Sequence, residues 1–116
     1  MQDGNCIFCK IVSGEIPSVK VFEDDRIAAF NDINPQAPIH NLIVPKRHID
    51  SLDKAEDSDR DILGQLLLTA AGIARRNGFA EAGYRVVINT NSDGGQTVFH
   101  LHVHLLAGRP FIFPPG

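Results

Sequence analysis

The chain predicts an α+β fold: a five-stranded, mainly antiparallel sheet with one long helix. Two patterns carry this expectation. Ile62, Leu63, Leu66, Leu67, Ala70, Ile73 and Ala74 recur at three- and four-residue spacing, the period of a helix with a single apolar stripe. Elsewhere the apolar residues fall into short runs closed by Asp, Asn, Gly or Pro, as strands joined by turns do. The length of 116 residues, with no internal repeat and no linker, predicts one domain over residues 1–116 with one core.

A short N-terminal segment, residues 1–16, comes first. "VKVFEDD" and "RIAAFND" then read as two strands joined at Asp24-Asp25. "NPQAP", with Pro35 and Pro38, is a loop. It leads into "IHNLIVPK", a strand ending near Lys46. Ser58, with Asp61 three residues on, is placed to cap the long helix, and Asn77-Gly78 to stop it. "YRVVINT" is a further strand, "NSDGGQ" a tight connection, and "TVFHLHVHLLA" the last and longest strand. The tail "GRPFIFPPG", residues 108–116, is punctuated by prolines and is expected to be irregular. The helix should cover one face of the sheet, which leaves the other for chemistry or a partner.

An apolar fraction of 43% and a charged fraction of 22% are those of an ordinary globular protein. No apolar run approaches the ~18 residues of a membrane span, and "MQDGNCIFCK" does not have the form of a signal peptide. The expected location is cytoplasmic, with no membrane partner. The net charge is −3 and there is no basic stripe, which argues against a nucleic-acid partner while leaving small phosphorylated ligands open. Cys6 and Cys9 are too few and too close for a disulfide framework. In a reducing compartment such a pair binds metal or does redox chemistry, and no βαβ pattern surrounds it to favour the latter.

"FHLHVHLL" places His100, His102 and His104 on one strand face, with Phe99, Leu101, Val103 and Leu105 on the other. A one-residue slip would bury the imidazoles in place of the core, so the register is strongly specified. Three readings compete: a solvated polar face, a zinc site using His-x-His, and imidazole as nucleophile and acid/base near neutral pH. The glycines of "SDGGQT" would bring backbone N–H groups close to an anion, although the lysine of a P-loop is missing.

"HLHVHLL" resembles the signature of the histidine-triad (HIT) family. "IFCKI", "GEIPS", "FEDDRIAAFNDINPQAP", "HNLIVPKRHI", "YRVVIN", "SDGGQTVFHLHVH" and "FPPG" are similar to the nucleotide-binding phosphoramidase (Hint) branch, in order from about Cys6 to Gly116. The resemblance implies a homodimer whose two sheets join, binding a purine mononucleotide and hydrolysing nucleoside phosphoramidates. It makes His102 the nucleophile at the α-phosphorus, His104 the contact to phosphate oxygens and leaving group, and His40 the residue that completes the cluster and helps move protons. His100 positions His102 through its carbonyl.

The same resemblance implies phosphate donors at Asn89, Gly95, Gln96 and Thr97, the last a serine in most of the branch. Asp32 would accept from the ribose hydroxyls, and Ile7, Phe8, Phe30, Ile33 and Leu42 would form the base slot or serve as ordinary core. Phe113 stands where the better-studied members have tryptophan, on a tail expected to reach the partner's site. A structural zinc on Cys6, Cys9, His48 and His100 is also implied, a closed Cys₂His₂ set, with no catalytic metal. Two rivals remain beside this reading: a zinc hydrolase with metal on His102 and His104, and a non-catalytic nucleotide-binding or scaffold protein. Within the family, a dinucleoside polyphosphate hydrolase is the nearest alternative.

Overall fold

The computed structural model describes residues 5–116, so the first four residues of the N-terminal segment lie outside it. Five strands form one antiparallel sheet: β1 (Lys20–Glu23), β2 (Ile27–Asn31), β3 (Ile39–Pro45), β4 (Tyr84–Val87) and β5 (Val103–Ala107). Their order is β1-β2-β3-β5-β4, which puts β3 at the centre. The β1–β2 hairpin turns at Asp24, whose Oδ1 accepts from the amides of Arg26 and Ile27, both at 2.8 Å. An aspartate that satisfies the turn's own amides is why this turn forms locally.

The long helix, α2 (Arg60–Arg76), lays Ile62, Leu66, Ala70, Ile73 and Ala74 on one sheet face. They pack against Ile27, Ala29, Ile43, Val103 and Leu105. Each large aliphatic side chain buried there contributes roughly 1.5–3 kcal/mol. Leu63 is half-buried on the flank of the stripe, and Leu67, expected within it, is 47% exposed.

The expected Ser58–Asp61 cap is not what starts the helix. A 3-10 turn, Asp57–Asp59, precedes it, and a reciprocal pair caps that turn: Glu56 accepts from the amide of Asp59, and Asp59 from that of Glu56. Arg47 also pairs with the buried Asp59 carboxylate, which anchors the turn to the sheet end. At the other end Asn77 and Gly78 stop the helix as the sequence predicts, with Gly78 at φ +83°.

The opposite sheet face carries Ala28, Phe30, Leu42 and Val44. A second, unforeseen helix, α1 (Ile7–Ser13), covers it with Phe8, Cys9 and Val12. Cys6 caps this helix, its Sγ accepting from the Cys9 amide at 3.3 Å, and Gly14 ends it at φ +87°.

The last strand is shorter than expected. Residues 97–102 lie outside the ladder, because β3 offers no partner beyond Ile43↔Val103 and β4 none beyond Val87↔His104. Their backbone is tied elsewhere, the Leu101 amide donating to Ile49 O at 2.6 Å. Leu101, Val103 and Leu105 enter the core as the alternation predicts, but Phe99, freed from the ladder, is 48% exposed.

Candidate active site and metal centre

The three triad histidines separate into two environments. His104 sits on β5 opposite Leu42, while His40 on β3 sits opposite Leu106, so the two are diagonal neighbours on the α1 face. Their rings meet at His40 Nε2···His104 Nδ1, 2.9 Å. His102 lies against His104 with ring centroids 5.0 Å apart. His100, fully buried, turns instead towards His48, Cys6 and Cys9.

Backbone partners set the proton on each ring. The Gln36 amide can only donate, so His40 Nδ1 accepts from it at 3.0 Å and Nε2 carries the hydrogen. His40 Nε2–H therefore donates to His104 Nδ1, which leaves His104 with an outward Nε2–H. His102 donates Nδ1–H to the His100 carbonyl at 2.7 Å, so its Nε2 keeps a free lone pair. Burial pushes all three below the ordinary histidine value, His104 to about 4, where the neighbouring His102 and His40 also weigh against its charge. At neutral pH the cluster is uncharged. It presents one bare nitrogen and one N–H donor.

Cys6, Cys9, His48 and His100 bring four candidate ligand atoms within 4.8 Å of one another. Nδ1 of His100 is 3.2 Å from Cys6 Sγ, and Nδ1 of His48 is 3.4 Å from Cys9 Sγ. The far nitrogen of each ring is already committed, His100 Nε2 to Pro45 O at 2.8 Å and His48 Nε2 to Asp50 Oδ1 at 2.6 Å. Both inward nitrogens thus bear lone pairs, the arrangement of metal-bound histidines held by outer hydrogen bonds. Burial also raises the Cys6 thiol, so its thiolate needs a cation beside it. The four residues fit a tetrahedral zinc.

Asp32, His40 and His104 form a second group of matching spacing, with Asp32 Oδ2 3.4 Å from His40 Nε2. Its chemistry differs: the Gln36 bond keeps a hydrogen on His40 Nε2, where a metal would need a lone pair. The same tautomers weigh against a metal shared by His102 and His104, since His104 points an N–H outward.

The remaining expected residues spread around this cluster. Asp32 is half-buried, and its Oδ1 accepts from the Asn34 amide at 2.8 Å. Phe8, Phe30 and Leu42 lie in the core, whereas Ile7 and Ile33 are exposed. Asn89 and Thr97 stand at the two ends of the glycine loop, the first half-buried and the second exposed. Gly95 in that loop has φ +85°, and a Cβ on Gly94 would lie 2.4 Å from Thr90 O, so the chain closes on itself there.

The Gln96 side chain does work the motif did not show. It accepts from the Asn91 amide at 2.8 Å and donates to Asp50 O at 2.9 Å and Val98 O at 3.0 Å, tying the loop to the segment that holds His48. Gln36 and Asp50 were also missed; only the His-x-Asp spacing of Asp50 is visible in sequence.

The model of the HIT domain matches residues 13–111. Adenylylsulfatase HINT1 of Arabidopsis thaliana is 52% identical over 117 residues, covering 99% of this chain and 79% of that protein. The 14 kDa zinc-binding protein of Zea mays is 51% identical, covering 100% of this chain and 91% of its own. A HIT family hydrolase from Legionella pneumophila superposes with a TM-score of 0.95 at 53% identity, covering 97% of this chain and all of that one. A histidine triad protein from Clostridium difficile gives 0.94, also at 53% identity, with 97% of each chain covered. With the sheet, the histidine cluster and these matches in agreement over nearly the whole length, the chain belongs to the HIT-domain family.

Proposed function

We propose that this protein binds a purine mononucleotide and hydrolyses nucleoside 5′-phosphoramidates through a nucleotidyl-histidine on His102. The observation that carries this is the 2.7 Å bond from His102 Nδ1–H to the His100 carbonyl, which leaves Nε2 bare on a neutral ring beside His104. The Nε2 lone pair bonds to the α-phosphorus as the P–N bond to the amine breaks. The departing nitrogen takes the bonding electrons and a proton from solvent. Water then attacks phosphorus, the P–Nε2 bond breaks with its electrons returning to the imidazole, and water's proton is released. AMP and free amine result, with the borrowed proton repaid.

His104 Nε2–H donates to the phosphoryl oxygens and the leaving nitrogen. His40 holds His104 in that tautomer; because the Gln36 amide cannot give up its proton, His40 orients more than it shuttles. Asn89, Thr97 and the backbone at Gly95 and Gln96 surround the phosphate. Asp32 accepts from the ribose hydroxyls, and the exposed Ile7 and Ile33 border the base. Cys6, Cys9, His48 and His100 would hold a zinc ion, which would supply charge for two buried thiolates and clip α1 to the sheet. A homodimer is supported by the free outer edge of β4, where Tyr84 and Val86 are exposed, and by exposed Leu67 and Leu68 on α2.

The relative named adenylylsulfatase supports a second substrate at the same site, adenylyl sulfate. Sulfate leaves without needing a proton, whereas an amine needs one. AMP release from adenosine 5′-phosphoramidate and from adenylyl sulfate is therefore measured for wild type, His102→Ala and His104→Ala, with and without brief chelation. Loss of both reactions in His102→Ala, a larger loss on the phosphoramidate than on the sulfate in His104→Ala, and survival of brief chelation are expected. Absence of AMP release by the wild type would refute the proposal, and so would turnover that stops at once with chelator.

A further inference from the structure

Phe8 lies between the two candidate metal-binding thiols in sequence, and the fold sets its ring on the nucleophile. It is 6% exposed and stands edge-on to His102, with centroids 5.1 Å apart and planes at 89°. The same ring meets His100 at 6.0 Å and Phe30 at 5.4 Å, again edge-to-face. His104 takes another side of the His102 ring at 5.0 Å.

The single hydrogen bond at Nδ1 restrains His102 only in part, because rotation about its Cβ–Cγ bond is a broad, soft torsion. That rotation decides where the Nε2 lone pair points. Perpendicular aromatic contact resists it, because edge-to-face packing sets the positive edge of one ring against the negative face of the other and is weakened by tilting. Phe8 in turn is held from both sides: Cys6 caps its helix through the Cys9 amide, and Cys6 and Cys9 meet His100 and His48.

We propose that Phe8 is a positioning residue for His102, setting the plane of the nucleophilic imidazole, with the Cys6–Cys9 clip holding it in place. This departs from the base-slot role the family resemblance implies, and it rests on His102 being the nucleophile.

Phe8→Leu and Phe8→Met keep an apolar side chain of somewhat smaller volume and remove the ring. Both are compared with wild type after bound zinc and unfolding midpoint are checked. Single-turnover nucleotidylation by adenosine 5′-phosphoramidate is expected to slow by about 10-fold or more, since a small misaim of an attacking atom costs rate steeply. Affinity for AMP is expected to hold. Long-range ¹H–¹⁵N spectra should show the Nδ1–H tautomer at His102 in all three proteins, because the His100 carbonyl sets it, with His102 signals that are sharp in the wild type and shifted or exchange-broadened in both variants.

Unchanged nucleotidylation overturns the proposal, as does a loss matched by equally weakened AMP binding, which is the base-slot result. If the wild type forms no adduct, the proposed activity fails by itself and the spectra decide: identical His102 signals in all three proteins refute the role of Phe8.

Discussion

Gln96→Leu tests how the glycine loop is held. The buried side chain makes three hydrogen bonds, from the Asn91 amide and to the carbonyls of Asp50 and Val98. Leucine fills similar space but leaves all three groups without their partner. At about 1 kcal/mol net for each bond, the expected loss is about 3 kcal/mol, and more if water cannot reach the orphaned groups. For a chain of this size that lowers the melting temperature by about 10 °C.

Urea unfolding in zinc-supplemented buffer measures this loss. The midpoint should fall with the m-value unchanged, because the native surface is not altered. Gln96→Glu sharpens the test. It has the same shape and still accepts from Asn91, but it turns its donor group into an acceptor facing two carbonyl oxygens. Its folded-state pKa is therefore raised. The penalty should be largest near neutral pH and shrink on acidification, when a protonated carboxyl can donate again. A loss under about 1 kcal/mol for Gln96→Leu would refute the claim that this side chain ties the loop to the Asp50 segment.

Burial holds His40, His102 and His104 below the usual histidine range, His104 at about 4. The proposed mechanism uses the deprotonated forms, so kcat/KM should decline only below the ordinary histidine pKa of about 6.5; a half-maximum at or above that value contradicts the cluster's burial. Asp50→Ala removes the acceptor for His48 Nε2–H, and should cost about 10–100-fold in zinc affinity by competition with a chromogenic chelator. Unchanged affinity would show that the 2.6 Å contact does not orient the ligand. Ser51 Oγ is buried and has no hydrogen-bond partner among the described residues, so Ser51→Ala should be neutral or slightly stabilising in urea unfolding. Gly94→Ala should destabilise the loop, since the added Cβ meets Thr90 O at 2.4 Å; an unchanged midpoint would contradict that packing.

Much of this molecule is legible in its sequence because local patterns and global packing agree. The period of Ile62, Leu66, Ala70 and Ile73 specifies both a helix and the face it buries. The alternation of Leu101, Val103 and Leu105 specifies the core side of the triad segment. Where expectation and structure part, a longer-range partner wins over a local one. Ser58 is a good cap by type, but Glu56 and Asp59 close a reciprocal pair one turn earlier, with Arg47 bound across from the sheet. α1 is only seven residues long, too short for periodicity to reveal, and its cap is a cysteine instead of the usual Ser, Thr, Asp or Asn.

Sequence by itself determined the sheet-and-helix class, the five strands and the presence of a histidine cluster, because each follows from spacing within one segment. Only the tertiary structure decided what each histidine is. His100 faces two cysteines, His102 keeps a bare nitrogen, and His104 an outward N–H, and those differences come from single backbone groups at Pro45, His100 and Gln36. A tautomer is set by whichever donor or acceptor stands beside the ring. Two of those three groups lie on segments distant in the chain, and no pattern of residue types along "HLHVH" encodes which of them the fold will bring there.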